Sequence, residues 1–259
     1  MDLSQFSLEG KIALVTGGSR GIGESAAIRF AKAGADVVVT SRNQADLDEV
    51  SKKIEAEGRK SMAIATHVGR MEQIQSLVDS VVKNFGRIDI LVNNAGTSFN
   101  TPAMDMTERA WDSVMNLNLK GVFFLSQAVA RVMKDNGGGK IVNISSVAGI
   151  RVQDATPHYS VSKAAVIMLT KVLAKEWAVH NIRVNCIAPG PIETRLYDAI
   201  FAVFPEGEKE KAKEMAVAHV PLKRAGLPRE IADAIIFLAS EASSYMTGQT
   251  FAVDGGAIL

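Results

Sequence analysis

The sequence predicts a doubly wound α/β fold: a parallel sheet of about seven strands flanked by helices, in a single domain spanning residues 1–259. Three observations predict it. Short β-branched runs alternate repeatedly with longer segments of helical periodicity. Most of those runs are continuously apolar rather than alternating, as strands buried on both faces are. No Gly-, Ser- or Pro-rich linker divides the chain, and 259 residues at 47% apolar composition can build one large core.

The elements follow in order. KIALVT (11–16) is the first strand, and a helix is expected over 21–34. DVVVTS (36–41) precedes a helix over 44–58, and SMAIAT (61–66) one over 70–86. IDILVN (88–93) leads to a long helical pattern over 107–135. KIVNIS (140–145) leads to another over 156–180, with Thr156 as N-cap and Pro157 at the first helical position. IRVNCIA (182–188), a helix over 228–240 and QTFAVD (249–254) complete the set. The stretch 190–227 has no such order, and its charged run at 206–214 reads as a solvated helix face. It follows the C-terminal end of a strand, where open α/β sheets bind ligands, so a substrate lid is expected at about 191–226.

Composition removes several function classes. Lys and Arg total 29 against 28 for Asp and Glu, which gives no electrostatic reason to expect nucleic acid or an anionic membrane as partner. The one cysteine, Cys186, excludes an internal disulfide and a cysteine-based zinc site, and it reads as a core thiol. The histidines at 67, 158, 180 and 219 are scattered, so no metal is expected. The N-terminus does not read as a signal peptide, and no 18-residue apolar span exists. The expectation is a soluble cytoplasmic protein.

TGGSRGIGES (16–25) admits two readings. One is a triphosphate loop, G-x-x-x-x-G-K-[ST]; the other is the glycine turn of dinucleotide-binding folds. Both set backbone N–H groups and a helix N-terminus against phosphate. The first needs a lysine after the last glycine, and Glu24 stands there, where it would repel a triphosphate. The second keeps its requirements: Gly17 for the sharp turn, Gly21 and Gly23 for close approach and helix packing.

Together with NNAG (93–96), NISS (143–146), YSVSK (159–163) and APGPIET (188–194), this loop makes the chain resemble the short-chain dehydrogenase/reductase family, from about residue 8 to TGQTFAVDGG (247–256). The resemblance implies a Rossmann-type oxidoreductase that interconverts a ketone and a secondary alcohol by hydride transfer at a nicotinamide.

Tyr159 and Lys163 are four apart on an expected helix, so they share a face about 6 Å apart. An ammonium there, and an oxidised nicotinamide, would lower the phenol from an ordinary pKa near ~10 and make it a usable base. By resemblance Tyr159 is the general acid/base and Ser146, thirteen positions upstream, hydrogen-bonds the substrate oxygen. Lys163 also binds the nicotinamide ribose, and Asn118 holds a relay water near the lysine. Ser145 and Asn116 are the neighbours that lack the family spacing.

The cofactor is expected to touch Gly17, Ser19, Arg20, Gly21, Ile22 and Gly23 in the loop, Asn94, Ala95 and Gly96 beside the adenosine ribose, and Pro189, Gly190, Ile192 and Thr194 near the carboxamide. NAD-binding members place an acid at the end of the second strand. Here Ser41 stands in that position, with Arg42 after it and Arg20 in the loop. Two guanidinium groups without an acid suit a 2′-phosphate, so NADP(H) is expected over NAD(H). His67, with Val68, stands where the family usually has an acid that bonds adenine. It is read either as a ligand of the base or as a packed strand-end residue.

The candidate pocket segments 97–106, 147–158 and 195–220 are mainly apolar. They favour a ring, steroid-like, aryl or 3-oxoacyl ketone; no residue there is an obvious carboxylate clamp, though Arg151 could serve as one. The alternatives are an NAD-dependent dehydrogenase of a polyol or sugar, a non-redox member and a non-catalytic dinucleotide sensor. The family further implies a homotetramer, or a homodimer, built through 107–135, 156–180 and the C-terminal strand.

Overall fold

In the computed structural model the described residues are 3–153, 155–202 and 204–259, without the side chain of Ile200. The pocket segments 147–158 and 195–220 are therefore described apart from positions 154 and 203, which lie outside the described residues. The seven strands are β1 (Ile12–Thr16), β2 (Asp36–Ser41), β3 (Ser61–Ala65), β4 (Ile90–Asn93), β5 (Gly139–Ile144), β6 (Ile182–Pro189) and β7 (Thr250–Val253). They form one sheet in the order β3-β2-β1-β4-β5-β6-β7. Every neighbouring pair is parallel.

The helices are α1 (Gly21–Lys32), α2 (Gln44–Ala56), α3 (Met71–Phe85), α4 (Glu108–Met115), α5 (Gly121–Asp135), α6 (Pro157–Trp177), α7 (Arg195–Phe201), α8 (Lys209–Val217) and α9 (Pro228–Ala239). Two apolar cores explain the continuously apolar strands. Ala13, Val15, Val37 and Val39 pack with α1, α2 and α9 on one face. Leu14, Val38, Leu91 and Ile141 pack with α3, α5 and α6 on the other. Successive residues of β1 and β2 thus serve opposite faces, which is the two-residue period of a strand with both sides covered.

Two expectations change. The pattern over 107–135 is not one helix: α4 and α5 are joined by a π-helical turn, Asn116–Lys120. The extra residue per turn sinks Asn118 into the protein, fully buried. Amphipathic period does not register such a turn, because the apolar stripe resumes after it. The stretch 190–227 is also less irregular than expected, since α7 and α8 form within it. Val217, Val220 and Ala225 make a small core there with Ala257 of the C-terminus, and Tyr197 packs on it.

The strand order reverses between β1 and β4. From β1 the chain winds outward to β3; from β4 it winds the other way to β7. The loops after these two strands therefore part at the C-terminal edge of the sheet and leave a crevice there.

Candidate active site

The crevice is built first by the two loops at the switch point. Thr16 ends β1, and its hydroxyl accepts from the N–H groups of Asn94 and Ala95, each at 3.0 Å. The Asn94 amide donates to the carbonyls of Thr16 at 2.9 Å and Gly17 at 3.2 Å. NNAG is thus a bracket that holds the glycine turn. The Asn94 amide nitrogen, in the residue expected beside the ribose, serves that bracket. Gly17 has φ +63, a left-handed conformation that suits glycine. A Cβ on Gly23 would lie 2.2 Å from the Gly17 carbonyl oxygen, so no side chain fits where α1 meets the turn. Gly18, Ser19 and Arg20 lead into α1, which opens at Gly21, and Ile22 turns inward against the core.

The far wall comes from the segment after β6. Pro189 ends the strand, and the Gly190 N–H donates to Val253 of β7 at 3.1 Å. Ile192 is buried and bridges to Gly226. Thr194 caps α7 by accepting from the Tyr197 N–H at 3.3 Å. Its methyl faces Gly21 across the crevice, 3.3 Å from where a Cβ on that glycine would stand.

At the adenosine end, Ser41 closes β2 and Arg42 follows it, exposed. Arg20 is exposed as well, and among the described residues neither arginine forms an ion pair. His67 Nδ1 accepts from the Gly69 N–H at 3.1 Å. Burial pushes its pKa below the ordinary 6.5, and the Arg42 charge pushes it the same way, so the ring is held neutral. Val68, the next residue, is buried.

The middle of the crevice gathers the reactive groups. The Lys163 ammonium lies 5.6 Å from the Tyr159 ring centroid and donates to the Ile144 carbonyl at 2.8 Å. Ser146, just past the end of β5, is oriented by accepting from the Ala148 N–H at 3.1 Å. Asn118 accepts from the Thr97 N–H at 2.9 Å and donates to the Ser162 hydroxyl at 3.2 Å. Ser162 in turn donates to the Tyr159 carbonyl at 2.7 Å. A Cβ on Gly96 would stand 3.5 Å from Lys163 Nζ and 3.4 Å from Asn118 Oδ1, so the NNAG turn reaches this group too.

Two local expectations are corrected. Burial pushes the Tyr159 phenol above its ordinary 10.0, against the opposing pull of the Ser146 hydroxyl. Lys163 does not contribute the expected depression of the phenol, and burial lowers the Lys163 ammonium itself, to about 8. Thr156 is the N-cap residue of α6 before Pro157, as expected, but among the described residues its buried hydroxyl makes no cap bond and has no partner. Sequence reasoning passed over Ser162 and Thr97, which fix Asn118. The only signal for Ser162 was its place between Tyr159 and Lys163, where it shared no motif letter.

No helix among the described residues is long and apolar enough to cross a membrane. Cys186 is fully buried, and burial pushes its thiol up to about 11, an unreactive state.

Comparison with known proteins agrees with this geometry. A family model described as enoyl-(acyl carrier protein) reductase matches residues 17–257. The chain is 43% identical over 252 residues to a 3-oxoacyl-(acyl-carrier-protein) reductase of Thermotoga maritima, covering 97% of this chain and 99% of the relative. It is 42% identical over 257 residues to a 2-dehydro-3-deoxy-D-gluconate 5-dehydrogenase of Dickeya dadantii, covering 99% and 98%. The L-sorbose reductase of Gluconobacter frateurii, solved with NADPH and L-sorbose, superposes with a TM-score of 0.94 at 34% identity, covering 98% of each chain. A switch-point crevice for a nicotinamide dinucleotide, on a chain this similar to these reductases and dehydrogenases, places the protein among the oxidoreductases of the short-chain dehydrogenase/reductase family.

Proposed function

We propose that the protein is an NADP(H)-dependent ketoreductase and alcohol dehydrogenase that interconverts a ketone and a secondary alcohol, with Tyr159 as general acid/base. The observation that carries the reading is the convergence of Ser146, Tyr159 and Lys163, with the ammonium held on the Ile144 carbonyl 5.6 Å from the phenol ring centroid.

The nicotinamide, when bound, supplies or accepts the hydride and in its oxidised form adds a positive charge near the phenol. The chain does the rest. In reduction Tyr159 gives its proton to the carbonyl oxygen; in oxidation it takes the hydroxyl proton. Ser146 donates to the same oxygen and fixes its place. Lys163 grips the ribose hydroxyls, while the Ser146 hydroxyl opposes the upward push of burial on the phenol. Asn118, committed through its amide to Thr97 and Ser162, acts through the turn it fixes beside Lys163, where a relay water would sit.

The cofactor fits the glycine turn at the α1 N-terminus, where backbone N–H groups meet a pyrophosphate. Gly17, Ser19, Arg20, Gly21, Ile22 and Gly23 line it; Ala95 and Gly96 border the ribose; Pro189, Gly190, Ile192 and Thr194 face it. Unpaired Arg20 and Arg42 around Ser41 support a 2′-phosphate, hence NADP(H) over NAD(H). His67, neutral beside Arg42, borders the adenine with Val68.

We place the substrate under a lid of about 191–226, in one domain spanning the chain. Phe99, Ile150, Leu196 and Phe204 are exposed on the pocket segments and favour a ketone with hydrocarbon bulk. The sugar-acid and ketose names of two relatives favour a second reading, a hydroxylated ketone. We assign a homotetramer as well. Phe124, Val161, Met168 and Val172 are exposed on α5 and α6, and Tyr245 is exposed just before β7.

The test is loss of NADPH absorbance with a panel of bulky ketones, 3-oxoacyl thioesters and keto-sugars, repeated with Tyr159→Phe. Turnover that falls at least 100-fold in the variant, with NADPH still bound, supports the reading. A variant as active as the parent would overturn it.

A further inference from the structure

Ser145 and Ser146 are neighbours, and only Ser146 enters the proposed reaction. Ser145 has a separate place. β5 runs extended into this pair, so alternate side chains face α6. Asn143 and Ser145 are two of them, and both bond the helix. The Asn143 amide donates to the Thr170 hydroxyl at 2.9 Å. The Ser145 hydroxyl donates to the Lys163 carbonyl at 2.7 Å. Lys163 and Thr170 are seven residues apart, about two turns, and so lie on one face of α6. Two bonds from one strand to one helix face fix how far the helix can slide along the strand.

The chain on either side of Ser146 then closes on Lys163. Its ammonium donates to the Ile144 carbonyl at 2.8 Å. A Cβ on Gly149 would stand 2.6 Å from the Lys163 carbonyl carbon and 2.7 Å from the Ala164 nitrogen, both main-chain atoms. The turn that carries Gly149 is the one whose Ala148 N–H orients Ser146. Ser145 is itself fixed to the sheet, buried, with its N–H on the Ile187 carbonyl at 2.7 Å. Lys163 is thus bonded at its ammonium and its carbonyl oxygen by the two residues before Ser146, and Gly149 after it leaves no room for a side chain against the Lys163 main chain.

We propose that Ser145 is a positioning residue: its hydroxyl, on the carbonyl of Lys163, sets the height of α6 against the end of β5 and so the spacing of Ser146, Tyr159 and the Lys163 ammonium. The inference rests on the roles given to Tyr159 and Lys163 under the proposed function. A shift of well under a turn at this contact moves Tyr159 relative to Ser146, and transfer to a substrate oxygen is steep in such misplacement.

The experiment compares Ser145→Ala, Ser145→Thr and Tyr159→Phe in the full chain, with the best ketone of the panel. It reads kcat, both KM values, the pH profile of kcat and the melting temperature. Ser145→Ala shortens one buried side chain and is expected to fold. It should lower kcat about tenfold, leave the ketone KM within about twofold, and displace the pH limb of the Tyr159–Lys163 pair. Ser145→Thr keeps the hydroxyl and should restore both kcat and the limb. Thr170→Val removes the second anchor and should displace the same limb, which gives a further reading if the threonine variant folds poorly. Wild-type kcat and pH profile in Ser145→Ala, with Tyr159→Phe inactive, overturn the positioning role and leave the proposed function standing. So does a loss in Ser145→Ala that follows the melting temperature and vanishes on cooling. An active Tyr159→Phe overturns the proposed function instead, and the role of Ser145 falls with it.

Discussion

The Asn94 amide donates to the carbonyl of Gly17 at 3.2 Å, so the turn after β4 holds the glycine turn after β1 from below. The two are 77 residues apart in the chain. Gly23 packs into the same corner, where a Cβ would meet the Gly17 oxygen at 2.2 Å and the Asn94 amide nitrogen at 2.6 Å. Neither neighbour is the free end of a flexible chain.

Gly23→Ala is therefore expected to push the turn and α1 apart. Overpacking of this kind costs about 1–3 kcal/mol. NADPH affinity should fall at least about tenfold by fluorescence titration, with a lowered melting temperature. Parental affinity in the variant would show that the corner yields freely.

Lys163 gives a pH dependence with a defined sign. Burial lowers its ammonium to about 8, from an ordinary 10.5. The cation proposed to grip the ribose is thus lost as pH rises through about 8, and NADPH affinity should fall there. In Lys163→Met the fall should be absent. For stability, the unfolded lysine keeps its proton up to about 10.5 while the folded one gives it up near 8. The stability of this depressed group is present above about 10.5 and lost as pH falls to about 8, so the buried cation is a cost at neutral pH. Lys163→Met should lose turnover while keeping or raising the melting temperature at pH 7.

Cofactor choice is tested at the end of β2. Ser41→Asp with Arg42→Ala installs an acid where a 2′-phosphate would lie and removes a guanidinium. A charge-assisted bond is worth about 1.5–3 kcal/mol, so the NADPH to NADH ratio of kcat/KM should drop about 10- to 100-fold. A parent that favours NADH tenfold, or an unchanged ratio in the variant, refutes the assignment.

His158 is fully buried beside Tyr159, and its ring meets Phe99 edge-on at 4.6 Å. Among the described residues neither ring nitrogen completes a hydrogen bond. Burial lowers its pKa below 6.5, only partly offset by the nearby Thr156 backbone. The stability this neutral ring carries is present above about 6.5 and lost as pH falls below it. His158→Phe keeps the edge contact and removes two unpaired atoms whose burial costs about 1–3 kcal/mol each. Its melting temperature should match or exceed the parent's at pH 7 and decline less between pH 6.5 and pH 5. A steeper acid decline than the parent's would refute this.

Strands, helices and their order were legible in the sequence. Val37–Val39 and Ile90–Val92 are apolar at every position, and only a sheet covered on both faces asks for that. The spacing of Ser146, Tyr159 and Lys163 was legible because two of them share a helix face and the third closes a strand. The sequence by itself thus determined a parallel α/β sheet, a dinucleotide turn and a serine–tyrosine–lysine set. Tertiary structure decided the rest. It broke 107–135 at a π-helical turn and buried Asn118 there, folded α7 and α8 out of a segment without clear period, and set the phenol of Tyr159 above rather than below its ordinary value. It also turned Ser145 from a bystander into a bond on Lys163. The reason is common to all four. Periodicity and motif spacing report contacts within one element, whereas burial, an extra residue in a helical turn and a hydroxyl on a distant carbonyl depend on which elements the fold brings against one another.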